Sequence, residues 1–315
     1  MVIKTEGLTK WYGNKLGCRD ICLSVSEGQV FGFLGQNGAG KSTLVKMLVG
    51  LIFPTSGRAE ILGRPLGDRE VKKRIGFLPE TFRYQEWLTG YQLMKFHASL
   101  YKMPGSAGRE RIEEVLQLVR LKGHEHYKIR TYSKGMQQRL GLAAALLPDP
   151  DLLILDEPTS AMDPLGRKEV RDLILKLKSA GKTIFLNSHL LSEVEVVCDH
   201  VALIKKGRII AGGSIGELKA GKIEVEMIIG NYNDVINRSL AEKGYKPWRE
   251  NERVMVTVDS RDKIPVIAEI VINNGGSLYR LTPLHNSLEN LFLELMQEGG
   301  ENDADHCRDD LQGSA

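Results

Sequence analysis

The segment Gly35-Gln36-Asn37-Gly38-Ala39-Gly40-Lys41-Ser42 fits the spacing G-x-x-x-x-G-K-[ST] of a phosphate-binding loop. It follows an apolar strand candidate, Val30 to Leu34, and leads into an apolar helix expected over Thr43 to Leu51. Glycines let the backbone curl until its N–H groups face the β- and γ-phosphates of a nucleotide, and the helix N-terminus at Thr43 adds partial positive charge. Lys41 supplies a full positive charge, and the Ser42 hydroxyl suits Mg²⁺. Chance can supply the bare pattern, but the flanking strand and helix are a second requirement, and both are met.

A second group sits at Leu152-Leu153-Ile154-Leu155-Asp156-Glu157, an apolar strand that ends in two acids. Its carboxylates belong at the carboxyl edge of a sheet, where ligands bind in such folds. Asp156 suits Mg²⁺, through water. Glu157 would sit past the metal, where its carboxylate can orient and deprotonate the water that attacks the γ-phosphate. Alone, such an ending usually marks only the start of a loop; beside a phosphate loop the catalytic reading prevails. His189 follows the strand Thr183 to Leu186 through Asn187-Ser188 and reaches the same edge. A lone histidine is usually structural. This one's position argues for contact with the γ-phosphate.

Tyr132-Ser133-Lys134-Gly135-Met136-Gln137-Gln138-Arg139, followed by a helical stretch Leu140 to Leu147, resembles the signature sequence of the ABC ATPases. In that family a serine and a glycine at a helix N-terminus form a second phosphate cradle, which closes on the ATP held by the other subunit. The resemblance therefore implies that Ser133 and Gly135 bind nucleotide and that the chain works as a dimer around two ATP molecules. Lys134 stands in place of the usual second-position glycine and Met136 in place of glutamine, variants familiar among exporter-type members. The resemblance covers residues 1 to about 220. It implies that Tyr12, in Lys10-Trp11-Tyr12-Gly13, stacks on adenine, a contact that gives area with little base specificity. Glu80, after Ile75-Gly76-Phe77-Leu78-Pro79, occupies the place of a glutamine that touches Mg²⁺. An oxygen ligand is kept there and a negative charge is added. Ser160-Ala161-Met162-Asp163 resembles the loop that communicates across the dimer.

The elements that must position these residues alternate short apolar runs with helical stretches up to about residue 220, the pattern of a parallel sheet wrapped by helices. Strand candidates Val30 to Leu34, Leu152 to Leu155, Thr183 to Leu186 and Val201 to Ile204 are apolar throughout, as strands buried on both faces should be. From about Thr81 the pattern turns helical, as in Arg111 to Leu121, and a helical insertion is expected over about 81–150. After Gly221 a second pattern begins: strand Ile223 to Ile229, helix Asp234 to Lys243, strand Arg253 to Asp259, helix Lys263 to Asn273 and strand Leu278 to Thr282. A last helix is expected from a Ser287 cap, with Leu288, Leu291, Phe292, Leu295 and Met296 on one face. The expected fold is α/β, a P-loop NTPase with an ABC-type helical insertion over residues 1–220. A small C-terminal α+β domain follows over 221–297, and an acidic tail over 298–315 is expected to be disordered.

Composition narrows the partners. The 315 residues are 42% hydrophobic and 26% charged, with a net charge of +3, so no strong global field recruits nucleic acid. There is no run of eighteen apolar residues, and Lys4 and Glu6 lie where a signal peptide needs its apolar core. The four cysteines form no Cys-x-x-Cys pair and read as reduced thiols. A cytoplasmic protein is expected, attached peripherally to the membrane through a partner. Three functions are compatible with such a chain. A single ATPase unit with a full-length helical insertion favours the energising subunit of a transporter over the gene-regulatory, translation-linked or repair members of the family. Retention of Glu157 and His189 disfavours a non-hydrolysing nucleotide switch. The expected partners are a second ATPase subunit, as a homodimer, and an integral membrane permease encoded separately. Ser287-Leu288-Glu289-Asn290-Leu291-Phe292 resembles the end of ATPases that serve exporters.

Overall fold

The computed structural model describes residues 1–219, 223–250, 252–284, 288–289 and 291–292. One compact unit spans Met1–Ser214, and a second begins at Ile215.

In the first unit, β1 (Ile3–Tyr12) and β2 (Lys15–Val25) form an antiparallel hairpin, and β3 (Val30–Gly35) begins a second sheet. The chain returns to the first sheet with β4 (Ser56–Ile61) and β5 (Arg64–Pro65). Everything after that joins the second sheet: β6 (Ile75–Leu78), β7 (Leu152–Asp156), β8 (Thr183–Asn187), β9 (His200–Lys205) and β10 (Arg208–Ser214), in the order β10-β9-β3-β8-β7-β6. All neighbours in that order are parallel except the β9–β10 hairpin. Crossover helices connect them, as parallel strands require. Helix α1 (Lys41–Leu48) follows β3, and α2 (Arg69–Lys72) precedes β6. Between β6 and β7 come α3 (Gly90–Leu100), α4 (Gly105–Leu118) and α5 (Lys134–Leu146). Then α6 (Pro164–Ser179) leads to β8, and α7 (Leu191–Val197) to β9.

Every residue of β3, β7 and β8 is buried. Their side chains pack on both faces of the sheet, which is why these strands read as unbroken apolar runs. Phe31 and Phe33 of β3 each stand 5.7 Å, centroid to centroid, from Phe185 of β8. Burying one such ring contributes about 1.5–3 kcal/mol. In the register, Asn187 at the end of β8 lies opposite Phe33 on one side and Asp156 on the other. Strands β7 and β8 thus finish level and β3 runs two residues further, so the residues that follow all three meet at one edge.

The sheet formed by β1, β2, β4 and β5 was not anticipated. Register shifts interrupt β1 between Thr5 and Leu8 and again near Lys10, and Gly7 and Asp20 take left-handed backbone (φ +57° and +52°). Bulges of this kind break the period-two alternation by which a half-buried strand is recognised. Helix α1 starts at Lys41, earlier than expected, and stops at Leu48 because Gly50 adopts φ +67°. Likewise α4 ends at Leu118, with Arg120 at φ +58°, so Leu121, expected within the helix, lies beyond its end.

In the second unit, α8 (Ile215–Lys219) precedes β11 (Ile223–Gly230), α9 (Asp234–Glu242), β12 (Trp248–Glu250), β13 (Arg253–Val258), α10 (Ile264–Asn273) and β14 (Ser277–Leu284). The strands pair antiparallel in the order β12-β13-β11-β14, and β12 is an addition to the expected elements. Alternate residues Val225 and Met227 of β11 and Val254, Val256 and Val258 of β13 pack with Ile236, Leu240, Ile267 and Val271 of the helices. Leu288, Glu289, Leu291 and Phe292 are helical, with Leu288 buried. Ser287, Leu295, Met296 and the acidic tail from 298 lie outside the described residues. Among the described residues, no helix is long and apolar enough to cross a membrane.

Candidate active site

Gly40 caps α1 at φ +108° and offers no side-chain acceptor to the first turn, the kind of helix start that binds anions through its N–H groups. A Cβ on Gly40 would stand 2.3 Å from the Gly17 carbonyl oxygen, so glycine is required there by conformation and by space. Gly17 itself, in β2, was not singled out from the sequence. A Cβ on it would meet Thr43 Cγ2 and Tyr12 Cε2, each at 2.9 Å. The antiparallel sheet therefore brings Tyr12 beside the start of α1. Tyr12 is 46% exposed, with Lys10 Nζ 5.5 Å from its ring centroid. From the other side, Gly207 in the β9–β10 turn donates its N–H to Ala39 O at 2.9 Å. Gln36, Asn37 and Gly38 form the exposed crest of the loop, between Gly35 and Ala39, which are both buried.

The Lys41 ammonium is buried and donates to the carbonyl oxygens of Gly35 (2.7 Å) and Gln36 (3.3 Å). Burial lowers its pKa, against the attraction of the Glu157, Asp156 and Glu80 carboxylates. Those carboxylates, with the Ser42 hydroxyl on the next residue, are hard oxygen donors of the sort Mg²⁺ takes. Among the described residues no group of three or more His, Cys, Asp or Glu side chains could hold a metal ion by itself. Mg²⁺ is commonly bound by only one or two carboxylates, the rest of its shell coming from phosphate and water.

Asp156 is 3% exposed, and burial raises its pKa while a hydrogen bond from Asn187 Nδ2 opposes the rise. The other amide atom, Asn187 Oδ1, is buried without a hydrogen-bond partner among the described residues. A buried orphan acceptor beside Asp156 fits a polar ligand or a water in a metal's shell. Sequence reasoning passed over Asn187, because only its pairing opposite Asp156 gives it this place.

Glu157 carries the most constrained backbone of the site, at φ +53°, a conformation that costs a non-glycine residue on the order of 1–3 kcal/mol. Three contacts enforce it. Its N–H donates to Asn187 O at 2.9 Å, its carbonyl accepts from Gln138 Nε2 at 3.3 Å, and its carboxylate meets His189 Nδ1 at 2.7 Å. When Glu157 is ionised it can only accept, so Nδ1 must carry the proton of that contact. Burial raises the Glu157 pKa, opposed by His189 and Lys41, and a raised carboxyl is a better proton acceptor near neutral pH. Gln138, the buried third party, comes from the helix that follows Ser133 and was not singled out from the sequence.

Lys41, Asp156, Glu157 and His189 thus come together at one sheet edge, within reach of the exposed Glu80. Ser133 and Gly135 do not join them. Ser133 caps α5 by accepting from Met136 N–H at 3.2 Å. A Cβ on Gly135 would meet the Ala161 carbonyl at 3.9 Å, with no atom of the phosphate loop within 4 Å. Met162 is buried, and Asp163 caps α6 through Gly166 N–H.

A family model described as ABC transporter matches residues 18–160, a span that holds the phosphate loop, Glu80, Ser133, Asp156 and Glu157. An uncharacterized ABC transporter ATP-binding protein of Nostoc sp. is 40% identical over 311 residues, which cover 94% of this chain and 90% of that one. A bacitracin transport ATP-binding protein of Bacillus licheniformis is 35% identical over 95% of this chain and 98% of its own. Among solved structures, a bacterial ABC transporter cassette determined as a dimer superposes with TM-score 0.62 at 25% identity, covering 68% of this chain and 98% of that one.

Proposed function

From the premise that the chain belongs to the ABC transporter family, as an ATP-binding and ATP-hydrolysing subunit with a P-loop NTPase fold, we propose that two copies close around two ATP molecules and drive a separate membrane permease. The observation that carries this reading is the Glu157–His189 pair, held in left-handed backbone beside Lys41. Tyr12 stacks on the adenine. The loop Gly35 to Gly40, with the N–H groups of Lys41, Ser42 and Thr43, cradles the phosphates, and the Lys41 ammonium offsets their charge. Ser42, Asp156 and Glu80 hold Mg²⁺, which when bound neutralises charge on the phosphate oxygens. Glu157 takes a proton from water as the water oxygen bonds to the γ-phosphorus and the bridging bond to ADP breaks. His189 holds that carboxylate and senses the γ-phosphate.

Ser133 and Gly135 serve the nucleotide of the partner copy. The lack of any phosphate-loop atom within 4 Å of a Cβ on Gly135 supports that assignment, as does the dimeric state of the related cassette. The subunit works at the cytoplasmic face of the membrane, through its permease and without nucleic acid. Export is the direction favoured by the exporter-like end around Leu288, and the relative named for bacitracin transport supports a transport role. The C-terminal domain expected over residues 221–297 regulates or assists dimerisation, since it carries elements of its own and no nucleotide motif. Because the active species is the dimer, specific ATPase activity per chain should rise with chain concentration to a plateau. Activity that stays constant on dilution into the range where sizing shows only monomers would contradict the dimer.

Glu80 gives a second expected result. Glu80→Gln keeps an oxygen ligand and should retain at least about a tenth of the activity, whereas Glu80→Ala should fall well below that. Equal steady-state rates for the two variants would show that Glu80 does not serve the metal.

A further inference from the structure

Two short turns carry the reacting edge. Glu157 opens one of them, in which Ser160 N–H donates to Glu157 O at 3.3 Å and Met162 N–H to Thr159 O at 3.1 Å. His189 lies in the other, where Leu190 N–H donates to Ser188 Oγ at 3.1 Å just before α7, a helix without a side-chain cap. Besides the contacts of Glu157 itself, a side-chain bond ties the first turn to α7, the helix that continues from the second. Thr159 Oγ1 donates to Glu193 Oε2 at 2.8 Å, and the two residues are only 3% and 8% exposed.

Burying a carboxylate is unfavourable unless it is partnered. The α7 N-terminus favours an anion in its first turn, where Glu193 lies, and the Thr159 hydroxyl supplies a donor. Thr159 follows Glu157 by two residues, and Glu193 follows His189 by four. The bond therefore fixes the separation of two short stretches of backbone, each of which ends in a group of the site. Neither Thr159 nor Glu193 is among the residues assigned above to the nucleotide or the metal.

We propose that the Thr159–Glu193 hydrogen bond is a positioning clamp for hydrolysis: it holds the His189 turn against the Glu157 turn and so keeps the Glu157 carboxylate aligned on the attacking water. The clamp rests on the assignment of Glu157 as the base. Alignment is worth a great deal where a proton must move along a defined line, and a small displacement costs rate while leaving affinity in place.

The test uses the full chain, with steady-state and single-turnover ATP hydrolysis. Thr159→Val keeps the shape and removes the hydroxyl, so kcat should fall about ten- to a hundredfold, with KM for ATP within about twofold of wild type. Thr159→Ser restores the donor and should recover most of the loss. In a Glu157→Gln background Thr159→Val should lower single-turnover rates no further, because the group it aligns is gone. A wild-type kcat for Thr159→Val would overturn the clamp, and so would a loss that persists undiminished beside Glu157→Gln or a Thr159→Ser variant no better than the valine. If Thr159→Val fails to give a cooperative melt, Glu193→Met is read by the same criteria. Wild-type turnover by Glu157→Gln alone would instead overturn the assignment of the base. A slow Glu157→Gln beside an unaffected Thr159→Val rejects the clamp only.

Discussion

Glu157→Gln should lower kcat by about a hundred- to ten-thousandfold, the usual worth of a general base, which is roughly 2.7–5.4 kcal/mol of transition-state stabilisation. The substitution keeps the side chain's shape, and the amide oxygen can still accept from His189 Nδ1, now 2.7 Å from the carboxylate. The other two contacts that hold the left-handed backbone, with Asn187 O and Gln138 Nε2, are made by the main chain of Glu157 and are untouched. The fold and the melting temperature should therefore stay near wild type. ATP binding should be kept or tightened, since one carboxylate facing the γ-phosphate loses its charge. A fluorescent ATP analogue and single-turnover hydrolysis separate the two effects.

Lys41→Ala should abolish measurable turnover and weaken ATP binding by at least about tenfold, the loss expected when a charge-assisted hydrogen bond is removed. The reason lies in what surrounds the ammonium. Asp156, Glu157 and Glu80 all direct negative charge toward Lys41, and without it they would confront the phosphates uncompensated. The variant should nevertheless fold, because the Lys41 side chain bonds only to two carbonyl oxygens of its own loop. Calorimetry with Mg-ATP and a circular-dichroism melt check both halves. Unchanged turnover would remove Lys41 from the site.

The chemistry of the site was legible wherever a reaction needs fixed residue types at fixed spacing. Gly35 to Ser42 had to be contiguous because a single strand-to-helix turn wraps the phosphates. Asp156 and Glu157 had to end an apolar strand, and His189 had to follow another, because β7 and β8 finish level at one edge. The fully buried strands announced themselves for the same reason: no alternation is possible when both faces are covered. What the sequence concealed depends on contacts between distant segments. Gly17 matters because a Cβ on Gly40 would stand 2.3 Å from its carbonyl oxygen, Gln138 because its amide reaches the Glu157 carbonyl, and Asn187 because the register sets it opposite Asp156. None of these belongs to a local spacing pattern. The β1–β2 hairpin escaped for a different physical reason, since its bulges at Gly7 and Asp20 shift the side chains from one face to the other.

If ATP is held between two copies of the chain and released by hydrolysis at Glu157, the size of the Glu157→Gln protein reports it most directly. With Mg-ATP, closure should outlast the blocked chemistry, so the variant should sediment or elute as a dimer at concentrations where the wild-type chain with ADP is a monomer. A Glu157→Gln protein that binds ATP yet remains monomeric at concentrations where the wild-type chain turns ATP over would contradict it.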